Sequence, residues 1–231
     1  MGGMGLVISG CTDGAVVHLT YDLSRGDEGF QADIADYDVE NLDFMAGVRA
    51  LPPELGRSAT GLYLQSTNRS ADAFMFVHRG VGASDGLEPG ARYTARFAIT
   101  MASDAPAGCI GIGGPPAEAV TLKVGMVDHA PVVALDGTSG VAQYRVNVDK
   151  GEQVQGGNDM TVAGDIANGA ASTACGTGPT FRTFSRTHTH PTAVTASSAG
   201  ELWVMIGTDS GFEGTTPLYY EQIDIELTPV R

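Results

Sequence analysis

The sequence predicts an all-β fold, a single antiparallel β-sandwich and most plainly a jelly roll. Three observations carry this: apolar residues recur at every second position, turn clusters separate the runs, and no stretch holds a helical apolar stripe for three turns. The 231 residues are 42% hydrophobic and only 17% charged, enough apolar matter for one sizeable core. With 32 glycines and 11 prolines, turns are frequent.

Taken in order, Ala15–Tyr21 and Asp43–Val48 read as strands, and Pro53–Arg57 is the best candidate for a short helical turn. Gly61–Gln65 and Ala73–His78 follow. Arg92–Met101 has the clearest pattern: Tyr93, Ala95, Phe97, Ile99 and Met101 share one face, with Arg92, Thr94 and Arg96 on the other. Val120, Leu122, Val124 and Met126 alternate with Thr121 and Lys123 in the same way. Gln143–Val148, Thr180–Ser185, Thr192–Ala196 and Glu201–Ile206 are further strands, and the last run sets Ile223, Ile225 and Leu227 against Gln222, Asp224 and Glu226. Turn chemistry falls between them at Asp85-Gly86, Glu88-Pro89-Gly90, Gly113-Gly114-Pro115-Pro116, Asp136-Gly137 and Gly156-Gly157-Asn158-Asp159. Gly151–Gly178 is the least patterned stretch, an irregular excursion or a functional loop.

Charge narrows the partners. The net charge of −14 repels nucleic acid and anionic headgroups, so neither is expected as a partner. Of the thirteen Lys and Arg residues only Lys123 and Lys150 are lysines. No apolar run approaches the ~20 residues of a membrane-spanning helix. Near the start, Ile8-Ser9-Gly10-Cys11 resembles the bacterial lipobox, in which the cysteine is lipidated. It lacks the basic start and the apolar stretch of about 7–15 residues that a complete signal carries. Residues 1–12 are therefore read as a leader, the remnant of a lipoprotein signal, and residues 13–231 as the sandwich. The expected address is the cell envelope or the exterior, with membrane contact only through a lipid at Cys11.

Setting Cys11 aside leaves Cys109 and Cys175, both in Gly-rich turn sequence, and an exported β protein is expected to bridge them. Closing a loop of that length stabilises by about 4 kcal/mol in the chain-entropy model. No Cys/His cluster has zinc spacing.

Three blocks carry a family resemblance: Gly61–Phe76 (GLYLQSTNRSADAFMF), Gly86–Ala107 (GLEPGARYTARFAITMASDAPA) with the following GCIGIGG, and Gly200–Tyr220 (GELWVMIGTDSGFEGTTPLYY). In this order they resemble a family of uncharacterised bacterial secreted proteins and lipoproteins, over roughly Phe30 to Leu227, with a β-sandwich similar to carbohydrate-binding modules. The resemblance implies an envelope address and a Cys109–Cys175 bridge, and brings no established activity. The Leu-x-Pro-Gly-x-x-Tyr stretch at Leu87–Tyr93 is shared by many β-sandwich modules.

Catalytic motifs fail on context. Gly82-Ala83-Ser84-Asp85-Gly86 matches the nucleophile elbow as a string, but a turn and another strand follow where a helix is needed. Asp209-Ser210-Gly211 is similar to the Asp-Ser-Gly of chymotrypsin-like proteases without their upstream His-Cys motif. Gly111 and Gly113 precede Pro115-Pro116, which forbids a phosphate-cradling helix. No catalytic residue is assigned. His188 and His190 would lie about 7 Å apart on one strand face, read as a solvated strand end before Pro191 rather than a metal site.

Two constellations remain. Asp36 and Asp38 early, and Asp209, Glu213 and Asp224 late, offer hard oxygen ligands where the first and last strands of a jelly roll meet, a candidate structural calcium site. Tyr63, Phe212 and Tyr220, with Asn68, Arg69 and Asp72, supply the ring faces and polar partners that a sugar-binding surface uses. Trp203 is assigned to the core. The expected function is non-catalytic binding at the cell envelope, with glycan as the leading ligand class. A structural or adhesive surface protein acting through protein contacts is the alternative. A glycan-active hydrolase comes third, since no carboxylate pair can be placed in a cleft.

Overall fold

The computed structural model describes residues 14–38, 43–69, 72–137, 142–178 and 181–230. Along the chain the strands are β1 (Val17–Asp22), β2 (Gln31–Ala35), β3 (Tyr37–Asp38), β4 (Phe44–Ala50), β5 (Thr60–Thr67), β6 (Ala73–Val81) and β7 (Arg92–Ser103). They continue as β8 (Val120–Val127), β9 (Val133–Asp136), β10 (Gln143–Val146), β11 (Met160–Asp165), β12 (Arg182–Thr195), β13 (Leu202–Ser210) and β14 (Thr215–Val230). Helical structure among the described residues is confined to short 3-10 turns at Pro53–Leu55, Ala83–Asp85 and Ser172–Ala174.

The strands form two main antiparallel sheets. The front sheet runs β12-β7-β14-β5-β4, with β1 beside the second half of β14; the back sheet runs β11-β8-β13-β6-β2. Counting from β5 and leaving out β9 and β10, strands first, eighth, third and sixth are neighbours in front, and second, seventh, fourth and fifth behind. That order is the jelly roll, as the alternation predicts.

Between the sheets lies the main core. Leu62, Leu64, Tyr93, Phe97, Met101, Ile223 and Ile225 from the front meet Met75, Val77, Leu122, Val124, Val204 and Ile206 from the back. The inward faces are those of the sequence alternation, with one change of parity. A register shift between Tyr220 and Gln222 sends both Tyr220 and Ile223 inward.

Four features depart from expectation. Thr180–Ser185 and Thr192–Ala196 belong largely to one strand, β12, which passes through Pro191 because the pairing with β7 shifts there, between His190 and Val194. The unpatterned Gly151–Gly178 contains β11, an edge strand of the back sheet. The β9–β10 hairpin pairs with β3 in a small third sheet. Around it the outer face of the back sheet carries a second apolar cluster of Phe74, Phe76, Val127, Val148, Met160 and Met205, with Trp203 half-buried at its side. Cys109 and Cys175 are bonded, tying the β7–β8 connection to the segment before β12. Residues 1–12, expected to be a leader, lie with Cys11 outside the described residues.

Candidate functional site

The outer face of the front sheet gathers aromatic and polar side chains at successive outward positions. Strand alternation that buries Leu62, Leu64, Leu218 and Ile223 turns Tyr63, Gln65, Tyr219, Gln222, Asp224 and Glu226 the other way. At one end, Tyr63 and Tyr219 are cross-strand partners, with ring centroids 4.8 Å apart and planes tilted by 52°. Phe181 meets Tyr219 edge-on at 5.6 Å. The Arg49 guanidinium lies 4.3 Å above the Tyr63 ring, and the Tyr63 hydroxyl donates to Gln65 Oε1. Burial raises both phenols above the usual tyrosine value. Nearby Asp104, desolvated at the end of β7, is pushed up to about 6.

Polar groups continue from this aromatic end. Glu221 accepts from Thr183 Oγ1 at 2.8 Å and pairs with Arg57. Asp224 accepts from Thr20 Oγ1 at 2.8 Å and from Gln222 Nε2 at 2.7 Å. A shallow groove of about 170 Å³ runs past His18, Thr20, Arg96, Asp224 and Glu226. Beside this largely buried aromatic patch, carboxylates, an amide and guanidinium groups in a row make a surface able to donate and accept hydrogen bonds along its length.

The six residues expected to bind sugar are not brought together. Tyr63 faces outward on this sheet but is only 6% exposed, under Arg49. Tyr220 is the main correction: it is fully buried in the core, because the register shift beside it puts it on the same inward side as Ile223, three residues on, where unbroken alternation back from Ile223 would turn it outward. Asn68 is also buried, and its Nδ2 donates to the Ser210 carbonyl at 2.8 Å, pinning the turn that leads into β14. Arg69 stands 3.9 Å from Asp43, and Asp72 accepts from Gln153 Nε2. Phe212 packs at the rim of the core against Gly111 and Gly214, neither of which leaves room for a Cβ.

The expected calcium ligands are also dispersed. Asp224 points out of the front sheet, whereas Asp209 points out of the back sheet, so the whole core separates them. Glu213 is in an exposed turn, and Asp38 is in β3, paired with Gln143. Among the described residues, no group of three or more His, Cys, Asp or Glu side chains is arranged to hold a metal ion.

Asp36 and Asp209 have cations instead, in a buried cluster that the sequence reading did not foresee. Lys123, fully buried on β8, donates to Asp209 Oδ2 at 2.7 Å and to the carbonyls of Lys150 and Gln155. Lys150 Nζ stands 2.7 Å from the same Asp209 oxygen and 2.6 Å from Asp36 Oδ2. Arg145 closes the row on Asp36 Oδ1 at 2.7 Å. Burial pushes the Lys123 ammonium below the usual lysine value. Burial opposes the Lys150 ammonium too, but Asp209 and Asp36 outweigh it and raise its pKa. The available signal was composition, since both lysines of the chain are here.

His188 and His190 do not form a solvated strand end. Both turn toward Thr161 Oγ1, at 2.9 and 3.0 Å, where the edges of the two sheets meet. Burial and the neighbouring His188 push His190 down to about 4. Asp165 and Arg186 join the same two edges at 2.9 Å.

No family model and no curated protein matches the chain. Several solved structures do. A xylan-binding domain from Paenibacillus barcinonensis is 12% identical over 96% of this chain and 99% of that one, with a TM-score of 0.34. The cleaved adhesin domain of Lys-gingipain from Porphyromonas gingivalis W83 is 10% identical over 90% and 96%, also at 0.34. A structure of carbohydrate-binding modules of the β-sandwich superfamily is 11% identical over 88% of this chain, with a TM-score of 0.35, and the chain spans 57% of it. Likeness this distant carries no argument about ligand. The strand order itself defines the class, a jelly-roll β-sandwich.

Proposed function

We propose that the protein is an exported, non-catalytic envelope module that binds a glycan on the outer face of its front sheet. The observation that carries this reading is the row on that face, from Tyr63, Tyr219 and Phe181 to the groove at Arg96 and Asp224. The groove offers donors and acceptors to sugar hydroxyls, and the partly exposed Phe181 at the aromatic end offers a ring face to sugar C–H groups. The Cys109–Cys175 bond supports an oxidising address, and Cys11 would be the site of a lipid anchor.

The test is a glycan array probed with the protein and with Arg96→Ala and Asp224→Ala. Binding that both variants lose supports the face; binding that both retain removes it. Adhesion through protein contacts is the second reading, favoured by Ile110 and Ile112, which are 99% and 71% exposed in the loop that Cys109 anchors. An empty array together with partner capture that Ile110→Ser abolishes would favour it.

A further inference from the structure

The buried row on the outer face of the back sheet, beneath its cover, has a composition that ion pairing alone does not explain. Every cation of the chain is arginine except Lys123 and Lys150, and both lysines meet at one oxygen of Asp209. Arginine holds a carboxylate with two donors and keeps its charge, so it serves a buried ion pair better than lysine. What lysine adds is a primary amine that becomes a nucleophile once it loses its proton.

Charge and geometry single out Lys150. Lys123 balances Asp209 and Arg145 balances Asp36, which leaves the Lys150 ammonium as the surplus cation between the two carboxylates. The second oxygen of Asp209, Oδ1, is fully buried and has no hydrogen-bond partner, a costly state for a carboxylate. The Phe74 ring lies 5.1 Å from Lys150 Nζ, on the apolar side of the site. On the other side, a cleft of about 240 Å³ lined by Asp36, Arg145 and Lys150 opens to solvent.

We propose that Lys150 and Asp209 become joined by an intramolecular amide, Nζ condensing with the Asp209 carboxyl carbon with loss of one water. Nζ first passes a proton to Asp36 Oδ2, its neighbour at 2.6 Å, a transfer that runs against the carboxylate field favouring the ammonium. The freed lone pair attacks the Asp209 carboxyl carbon, and the Lys123 ammonium holds the charge that builds on Oδ2. Oδ1 then leaves as water. Of the three protons of the ammonium, two depart in that water through Asp36 and one stays on the amide nitrogen, so net charge is unchanged. In the product the amide N–H faces Asp36, the amide oxygen keeps Lys123, and the orphaned oxygen is gone. The bond would fasten the segment after β10 to central strand β13, 59 residues on in sequence. It is independent of the glycan reading.

Intact mass of the full chain, denatured and with its disulfide reduced, tests this directly. The expected mass is lower than that of the sequence by one water, with a cross-linked peptide pair joining Lys150 to Asp209. Asp209→Asn should lose one ammonia instead, because the leaving group changes. Asp36→Asn should fold, with the Cys109–Cys175 bond formed, and keep its full mass. Wild-type protein at its full sequence mass overturns the proposal. So does a lost water that maps to a succinimide at Asp85-Gly86 or Asp136-Gly137, or to a link through Lys123.

Discussion

The two outer faces of this sandwich start from the same strand alternation and end in opposite states. On the front sheet the outward positions of β7 and β14 are Arg96, Thr100, Gln222 and Asp224, which water solvates, and the face stays open apart from the small aromatic patch at Tyr63 and Tyr219. On the back sheet every residue of β8 is buried, and the outward positions of β6 and β13 include Phe74, Phe76, Met205 and Asp209. Such a face has to be covered, and the segment around β9 and β10 supplies the cover. The ion row of Lys123, Asp209, Lys150 and Asp36 sits beneath that cover, whereas the carboxylates of the front face remain in reach of a ligand. A polar group on the back face therefore governs stability, and one on the front face is where the proposed glycan reading places recognition.

The comparison can be broken first at Asp209. Replacing it with Ala leaves two buried ammonium groups short of a partner and should cost about 3–5 kcal/mol in denaturant unfolding. A loss below about 1 kcal/mol, the range of exposed pairs, would mean that the back face is not sealed. Next in size is the cross-link at the edge: Cys109→Ser with Cys175→Ser should lower stability by about 2–5 kcal/mol, measured the same way.

A smaller effect comes from the seam between the faces. His190 titrates near 4 in the fold against 6.5 when free, so the unfolded chain binds the proton first and stability falls as pH drops through that interval. Between pH 7 and pH 5 this amounts to about 2 kcal/mol. His78 and His188, also lowered by burial, act in the same direction. Asp104 works against them, because its raised value means that falling pH relieves a desolvated charge. The Asp104→Asn variant should therefore lose more stability than the wild type over that step, as read by unfolding at the two pH values. An equal loss in both would remove the Asp104 contribution. Least in stability are Arg96→Ala and Asp224→Ala on the front face, expected to stay within about 0.5 kcal/mol of the wild type while glycan binding is lost. Tyr63→Ala is a poorer probe, because a ring only 6% exposed contributes packing as well as contact.

The jelly roll and most of its core were legible because β7, β8 and β14 write their inward faces as an uninterrupted alternation. What failed was parity and assignment to a sheet. Tyr220 reads as a loop-side aromatic until the shift at Glu221 is known, and no local signal marks that shift. Asp209 and Asp224 look like neighbours along the chain, yet a strand's outward side depends on which sheet it joins. β11 escaped notice because MTVAGD is short and small, with Gly164 at a break in its pairing. Pro191 suggested a strand end because a missing N–H inside a strand is tolerated only on a sheet edge or at a register shift, and pairing is not written in sequence. The lysine row had a compositional trace, two lysines among thirteen cations, but its meaning needed the distances.

The most direct test of the central claim is a glycan array probed with the full chain beside Asp224→Ala, both first matched for unfolding midpoint. The account predicts a reproducible hit with the wild type that disappears in the equally stable variant. A hit of equal strength in both, or none with the wild type, would contradict recognition at the open front face.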